Sequence, residues 1–398
     1  MRILKFFLAF VLTAILIFGF VLGWNWKAFT VFLDNRDALT EGSEWVTYSS
    51  SLRGLSEFMG QNPRFSSVAS IVVEHPDSLI LYEEHTPRIM GTTANFFILA
   101  AFAVELDSGN KQGGKMLNWD EISQHQLPNV DESVHKESFR TAQNRGWIED
   151  NSISLSNALN LLAEYNSLAL ADYLWWQLES SIWDEFSSFP EVEQTDMPLP
   201  FSGLFLAISP DIHEMDFEDL ISLWHDSDQT EWREHVAKLS YDFVNDEEAR
   251  NAFRQYLNRN RIGTSFMQER DAMQLFPKTT VSEMAGLMKK IWQNEFYNEQ
   301  VSSLIKDFMR WPMRSQNRTD ADFTDYGAIY DNRMGLMNGV NFGTSAYTGD
   351  TTVQAFFLDQ LPIGFWFHAS GGHMHQDFMR RLIYDPALIE HMKRVTGQ

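Results

Sequence analysis

The sequence predicts a mixed α/β (α+β) fold, in which strands from both ends of one domain form an antiparallel sheet that packs against a helical region. A β-hairpin pattern lies at 67–82, and two further strand patterns follow at 338–358. Between them, apolar residues recur at helical spacing. Strands at both ends with helices between them favour one sheet packed on helices. An apolar stretch at the N-terminus predicts an additional transmembrane helix.

The bulk composition limits the classes of function. The chain has 398 residues, of which 44% are hydrophobic, so it can bury a substantial core. It contains no cysteine, which excludes disulfides and a thiolate nucleophile. The formal net charge is -23, and a surface of that charge repels the nucleic-acid backbone. We therefore expect no nucleic-acid partner.

Residues 6–24 form the N-terminal apolar stretch, FFLAFVLTAILIFGFVLGW, which carries no charged side chain. A helix of that length spans roughly 28 Å, close to the hydrocarbon thickness of a bilayer. Arg2 and Lys5 precede it, so the positive-inside rule predicts a cytoplasmic N-terminus. The alternative is a cleaved signal peptide, but the flanking GWNWK offers no small-x-small cleavage site. We expect a single-pass signal anchor in the cell membrane and a main domain that is periplasmic or extracellular.

The chain divides into three predicted parts. These are a signal anchor or transmembrane helix at 1–27, a helical neck at 28–61, and a main domain at 62–398 with a helical insertion at about 180–276. Within the domain, Ser154 is a predicted helix N-cap. The predicted elements are a hairpin at 67–74 and 79–82, helices at 93–106, 154–178, 280–309 and 374–384, and strands at 338–347 and 353–358.

The segment Thr92-Thr93-Ala94-Asn95 opens the first predicted helix and continues as FFILAAFAVELDSG. This order of a hairpin and then an apolar helix resembles the class A serine β-lactamase and penicillin-binding-protein (DD-peptidase) superfamily, in particular its uncharacterised serine hydrolase family. Members carry S-x-x-K here, and the lysine helps to take the proton of the attacking serine. The resemblance places Thr92 at the serine position and Asn95 at the lysine position. An asparagine cannot act as a base, so the implied catalytic pair is lost.

A second motif of that superfamily, S-D-N, has a degenerate counterpart on the helical side of the implied cleft. The segment ISLSNALNLLAEYNSLALADYL resembles the family sequence without a gap. This resemblance places Asn166, Ser167 and Leu168 at the three motif positions. A leucine at the last position cannot make the substrate contact of an asparagine. A register shifted by two would place Asn166 there, at the cost of a gap.

The third motif, K-T-G, is expected on the strand that lines the cleft. The segment YGAIYDNRMGLMNGVNFGTSAY resembles this region and places Arg333, Met334 and Gly335 at the motif positions. Arg333 keeps a positive charge that could hold a carboxylate, whereas Met334 lacks the usual hydroxyl. The resemblance covers roughly residues 60–395, and all three of its motifs depart from the catalytic pattern.

The apolar stretch and the degenerate motifs together predict a membrane-anchored, envelope-facing protein that is catalytically inactive and binds a cell-wall peptide or a protein partner. A peptidoglycan peptide is the ligand that the resemblance implies. The predicted ligand-binding residues are Thr92, Asn95, Asn166 and Arg333. One alternative is a divergent acyl hydrolase that uses Thr92 as nucleophile with a base such as His85 or a glutamate. Another is a structural scaffold of an envelope complex. We expect no cofactor, and we interpret Thr92 as the helix N-cap.

The segment FHASGGHMHQDF contains a His-x-His pattern, which is typical of some metal sites. His368, His373 and His375, with Asp377, could ligate a metal if they alternated on a strand. The segment also fits the start of a helix with no metal role. We favour the helix and expect no metal site.

Overall fold

A computed structural model describes Leu33 and residues 35–75, 77–260, 265–314 and 321–398. The predicted signal anchor at 1–27 lies outside the described residues. Across the part of the chain that the structure describes, no helix is long and apolar enough to cross a membrane.

The largest sheet of the described residues has five antiparallel strands and joins the two ends of the domain, as the sequence predicts. Its strand order is β2-β1-β10-β9-β8, so the N-terminal hairpin pairs with the last strand of the chain. Ala355 lies opposite Ala69 on one side and Val340 on the other. In chain order the strands are β1 (Ser66–Val72), β2 (Leu79–Tyr82), β3 (Arg88–Ile89), β4 (Met116–Asn118), β5 (Ile148–Glu149), β6 (Ser152–Ser154), β7 (Lys278–Thr279), β8 (Phe323–Asp331), β9 (Met337–Ser345) and β10 (Thr351–Leu358).

Helices form most of the remaining described structure. Their bounds before the insertion are α1 (Arg36–Thr40), α2 (Leu52–Gln61), α3 (Asn95–Asp107), α4 (Trp119–Gln124), α5 (Glu132–Asn144), α6 (Leu155–Tyr165) and α7 (Leu168–Trp175). Those of the insertion are α8 (Ser181–Ser187), α9 (Phe201–Ala207), α10 (Phe217–Asp226), α11 (Gln229–Asn245), α12 (Glu247–Asn260) and α13 (Phe266–Ala272). The last are α14 (Val281–Trp292), α15 (Glu299–Met309), α16 (Trp311–Arg314), α17 (Ile363–Gly371), α18 (Met374–Tyr384) and α19 (Pro386–Val395).

Two predicted long helices are each divided into two. The helix predicted at 154–178 is broken because Asn166 adopts a left-handed conformation (φ 51°) that ends α6. The helix predicted at 280–309 ends at Trp292 and restarts at Glu299. The N-cap prediction at Ser154 is confirmed, since its side chain accepts a hydrogen bond from the Asn157 N–H.

Helix α3 lies at the centre of the domain, and this position explains its composition. Its residues 95–104 are all buried, so it has no polar face. It packs against α6, α7 and α15, so neighbours cover it on several sides. A helix that is apolar all round is expected only in such surroundings. It ends before Gly109, which takes a positive φ of 77°.

The predicted neck packs into the domain over its described residues. On α2, Leu55, Phe58 and Met59 have no exposed surface. The Phe58 ring stacks on Phe365 of α17 with 4.1 Å between ring centroids. Helix α2 also packs against the C-terminal helix α19. This segment is therefore part of the folded body and does not stand away from it as a spacer.

The packing of α2 leads to a stability prediction. Truncation of Phe58 to alanine removes a fully buried ring and should lower the free energy of unfolding by about 3–5 kcal/mol. Arg53→Ala, on the exposed face of the same helix, should change it by less than about 0.5 kcal/mol. Urea unfolding of the detergent-solubilised chain measures both values. Equal, small effects of the two substitutions would show that α2 is not part of the core.

Candidate functional site

Thr92 lies in a single 3-10 turn, Gly91–Ala94, directly before α3, and its side chain is fully buried. The interpretation of Thr92 as the N-cap is wrong. Ala94 occupies the cap position of α3, and Thr92 Oγ1 has no hydrogen-bond partner among the described residues. The 3-10 turn moves the helix start two residues onward, which leaves the threonine hydroxyl inside the turn.

The backbone N–H of Thr92 donates a hydrogen bond to the Asp331 carboxylate, at 2.8 Å from Thr92 N to Asp331 Oδ2. Asp331 ends strand β8, and its carboxylate fills the space where a side chain at Gly91 would stand. A Cβ at Gly91 would lie 2.0 Å from Asp331 Oδ2, and Gly91 also has a positive φ of 57°. Only glycine therefore permits this close approach between the turn and the strand end.

Asn95 and Asn166 join α3 to the end of α6. Asn95 Nδ2 donates to Asn166 Oδ1 at 2.9 Å, and Asn166 Nδ2 donates to the Tyr330 carbonyl at 2.7 Å. Asn95 is fully buried and Asn166 is almost so. The amide pair is neutral, so it bridges helix and strand without placing a charge in the core.

Arg333 completes the contacts among the predicted residues. Its Nη2 donates to the Asn166 carbonyl at 3.0 Å and lies 3.4 Å from Asp131 Oδ1. Its Nε lies 3.9 Å from Asp331 Oδ1. The structure thus brings the four predicted ligand-binding residues together in one ring of contacts with Asp331.

Ser167 and Leu168, two of the degenerate motif positions, form the start of helix α7. Ser167 is the residue before the helix, and its Oγ donates to Asp131 Oδ2 at 3.0 Å. Leu168, the first residue of α7, is fully buried in the hydrophobic core. Ala169 N–H donates to the same carboxylate oxygen at 3.2 Å. Asp131 therefore holds the helix N-terminus, where a negative charge is favourable, and pairs with Arg333.

His135 continues this polar chain towards the surface. Its Nδ1 lies 3.4 Å from Ser167 Oγ, and its Nε2 lies 2.9 Å from Ser123 Oγ. Burial lowers the pKa of His135, while the neighbouring Asp131 acts in the opposite direction. The imidazole is therefore neutral near pH 7, and it links α4, α5 and α7 through hydrogen bonds.

Met334 and Gly335 follow Arg333 into the core. Met334 is only 6% exposed. Gly335 has a positive φ of 73°, and a Cβ there would lie 2.7 Å from the Arg270 side chain. The third motif is therefore packed against a second arginine, which an ion pair joins to Glu41.

Two features of the Thr92 environment differ from those that acyl transfer uses. Backbone N–H groups beside a nucleophile commonly stabilise the oxyanion that forms in such reactions. The Thr92 N–H is already bonded to a carboxylate, which would repel a second negative oxygen. No described side chain is hydrogen-bonded to Thr92 Oγ1 to act as a base, and His85 is exposed at the surface.

The three histidines of the C-terminal segment do not face one point. His368 and His373 are exposed, whereas His375 is fully buried in α18 with neither ring nitrogen hydrogen-bonded. Within the described ranges, no group of three or more histidine, aspartate or glutamate side chains is arranged to hold a metal ion. The helix predicted at 374–384 is confirmed as α18.

No protein-family model and no curated protein sequence matches the chain. Solved structures do match. The β-lactamase from Sphaerobacter thermophilus DSM 20745 is 9% identical, the match covers 87% of this chain and 97% of that one, and the TM-score is 0.51. The TLA-3 extended-spectrum β-lactamase is 13% identical, with 84% and 99% covered and a TM-score of 0.48.

The chain therefore has a β-lactamase-like fold, as the resemblance of its motifs implies. A further match, a β-lactamase from Chitinophaga pinensis DSM 2588, is 12% identical over 87% of this chain and 97% of that one, with a TM-score of 0.41. At 9% identity, the likeness to the Sphaerobacter thermophilus structure shows the fold alone and leaves the function to the residues of the site.

Three residues that contribute to the site are not among the sequence predictions: Asp131, His135 and Asp331. Asp331 lies two residues before Arg333, and this proximity to the third motif is the one sequence signal that could have identified it. Asp131 and His135 carry no such signal, because the partner Arg333 is 202 residues away from Asp131 in sequence. Only the fold brings them together.

The buried carboxylate leads to a stability prediction. Asp331→Ala leaves the Thr92 N–H without an acceptor and one charge on Arg333 less well paired, so we expect a loss of about 3 kcal/mol in the free energy of unfolding. Asp331→Asn retains an acceptor oxygen and should lose less. Asp226→Ala, at an exposed helix end, is the control and should cost under about 0.5 kcal/mol. Equal values for the three variants would refute the structural role of Asp331.

The buried histidine leads to a pH prediction. Burial lowers the pKa of His375 from 6.5 to about 3, so between these values the unfolded chain binds a proton that the folded chain does not. Stability should therefore fall as pH decreases from 6.5 towards 4, with about 2–3 kcal/mol of that fall due to His375. In His375→Phe the fall should be smaller by this amount, whereas the exposed His225→Phe should match the wild type. Parallel stability curves for all three proteins would contradict this.

Proposed function

We propose that this chain is a membrane-anchored, envelope-facing protein of β-lactamase-like fold that no longer catalyses acyl transfer and acts by binding a partner. The proposal has two independent supports. The apolar stretch at 6–24 has the length and flanking charges of a signal anchor. At the site that the fold would use for catalysis, the contacts of Thr92 and Asp331 oppose the reaction.

The bond between Thr92 N–H and Asp331 is the observation that carries the loss of catalysis. The oxyanion of an acyl-transfer reaction would need the Thr92 N–H as a hydrogen-bond donor, but the Asp331 carboxylate already accepts from it. Thr92 also has no exposed surface. A substrate carbonyl would have to displace a buried, charge-assisted hydrogen bond before it could reach the hydroxyl.

The same contacts favour a protein partner over a cell-wall peptide held in the cleft. Arg333, which could have paired with a peptide carboxylate, already has Asp131, Asp331 and the Asn166 carbonyl around it. A peptide would have to compete with two carboxylates of the protein itself. A partner that contacts the outer surface needs no such displacement, and this also covers a scaffold role in an envelope complex.

A second candidate, a divergent acyl hydrolase that uses Thr92, has one observation in its favour. Thr92 Oγ1 makes no hydrogen bond to any described residue, so its lone pairs and proton are not engaged. The reaction would require the ring of contacts to open and a base to approach the hydroxyl. These requirements make it the weaker candidate.

Intact-mass measurement distinguishes the two candidates. After incubation of the full-length chain in detergent with a penicillin and with a fluorophosphonate, we expect no adduct, because neither a base nor an oxyanion donor is free at Thr92. An active serine β-lactamase treated in parallel confirms that the reagents are competent. A stoichiometric adduct on Thr92 that is lost in Thr92→Ala would overturn the proposal and establish the hydrolase.

Thermal unfolding with a peptide that ends in D-alanyl-D-alanine tests the choice of partner. We expect no shift in the wild type, because Arg333 is already paired. A concentration-dependent stabilisation that is absent in Arg333→Ala but retained in Arg53→Ala would instead support peptide binding in the cleft.

A further inference from the structure

Exposed apolar side chains lie close to the point where the described chain begins. Leu33 is 51% exposed, and Phe367 on α17 is 39% exposed. Phe266, at the start of α13, is half-buried, and its ring centroid lies 5.7 Å from that of Phe367. We call these three residues the membrane-proximal face.

The N-terminal segment is fixed to this face by specific bonds. Asn35 Oδ1 accepts a hydrogen bond from Phe266 N–H at 2.7 Å, only two residues after Leu33. Glu41 Oε2 accepts from Ile363 N–H at 3.0 Å and pairs with Arg270. The backbone of Leu39 also lies against Gly364, where a Cβ would come within 2.6 Å of the Leu39 carbonyl. The chain therefore enters the domain at α13 and α17 in a defined position.

Phe367 is held in place by its neighbour on α17, Trp366. Trp366 packs edge-on to Phe367 with 4.8 Å between centroids, and its indole N–H donates to the Leu336 carbonyl at 2.9 Å. Phe367 consequently projects from a helix whose neighbouring residue is held in the core. A phenylalanine held outward in this way exposes apolar area that water does not favour.

The sequence before the face leaves little room for a spacer. Residues 25–32 read NWKAFTVF, with one charged residue and three aromatic rings. These eight residues can span at most about 28 Å when fully extended, and about 12 Å as a helix. Polar, flexible linkers have a different composition, rich in glycine and serine. Only this short, largely apolar stretch of chain therefore connects the predicted anchor to Leu33.

From these observations we infer that the membrane-proximal face rests on the lipid bilayer that holds residues 6–24, with its aromatic rings at the level of the headgroups. Aromatic side chains concentrate at this depth in membrane proteins. The inference rests on the proposed anchoring, and it adds a second contact that fixes how the domain is oriented. A tether alone would leave the domain free to rotate above the membrane.

Contact between the membrane-proximal face and the bilayer would determine which end of the domain points away from the membrane. Helix α18 follows α17 and runs about 16 Å along the sheet. It ends with Tyr384 beside Tyr347, whose ring centroid is 5.9 Å away. Tyr347 is 68% exposed in the turn between β9 and β10, so this turn lies at the end of the domain remote from α17. The face near Phe367 meets the bilayer, and the turn at Tyr347 points away from it.

Single-cysteine labelling tests this orientation, because the natural chain contains no cysteine. Leu33→Cys, Phe367→Cys, Tyr347→Cys and Leu223→Cys are each labelled with bimane in the full-length chain and reconstituted into phosphatidylcholine vesicles. Some of the lipids carry a nitroxide quencher near the headgroup. Leu223 controls for the effect of a label on an apolar, helical site of similar exposure (44%), and Tyr347 is the control for position. We expect labels at 33 and 367 to lose about half of their fluorescence or more, and the label at 347 to lose little.

Flotation of the vesicles and resistance to alkaline extraction are measured on the same samples, so that anchoring is tested separately. Protein that remains with the vesicles while its label at 367 is quenched no more than the label at 347 would overturn the membrane-proximal face and leave the anchor intact. Self-quenching between labels at 367, without quenching by lipid, would identify a second copy as the occupant and also overturn it. Protein that is extracted from the vesicles would refute both the anchor and the face.

Discussion

The hydrogen bond between the Thr92 N–H and the Asp331 carboxylate is the contact on which the site depends. It joins the turn before the central helix to the end of an edge strand, across 239 residues of sequence. From there the contacts continue through Arg333 and Asn166 to Asn95, one helical turn from the start. Arg333 is partly buried and the other residues are buried, so loss of one of these contacts would leave a further buried polar atom without a partner.

The contacts from Thr92 through Asp331, Arg333 and Asn166 to Asn95 differ from those that the resemblance implies. The resemblance implies a cleft in which a lysine and a serine meet a substrate, whereas here two neutral amides connect the helices to the sheet. The charges are supplied by Asp131, Asp331 and Arg333, which compensate one another. The contacts of the ring join the sheet to the helical region, whereas Thr92 Oγ1, Asn95 Oδ1 and Arg333 Nε have no hydrogen-bond partner among the described residues. Stability and catalysis would compete for the same atoms.

Local patterns in the sequence predicted the hairpin, the central helix and the pairing of the first and last strands, because each depends on the spacing of apolar residues. The break at Asn166 depends on a left-handed conformation, which a continuous apolar pattern does not reveal. Strand β8, which carries Asp331, was not predicted, since residues 326–331 are buried without alternation. The partners Asp131 and Asp331 required the fold, because their contacts to Arg333 and Thr92 are set by distant parts of the chain.

The most direct test of the central claim is the hydrogen-exchange rate of the Thr92 amide, measured with residue resolution in the full-length protein. A closed site with the N–H bonded to buried Asp331 predicts protection comparable to that of the amides of Phe102 and Ala103 in the middle of α3. Exchange of Thr92 at the rate of an exposed loop, with α3 still protected, would contradict it. That result would mean that the N–H is available to a ligand and that the site opens readily.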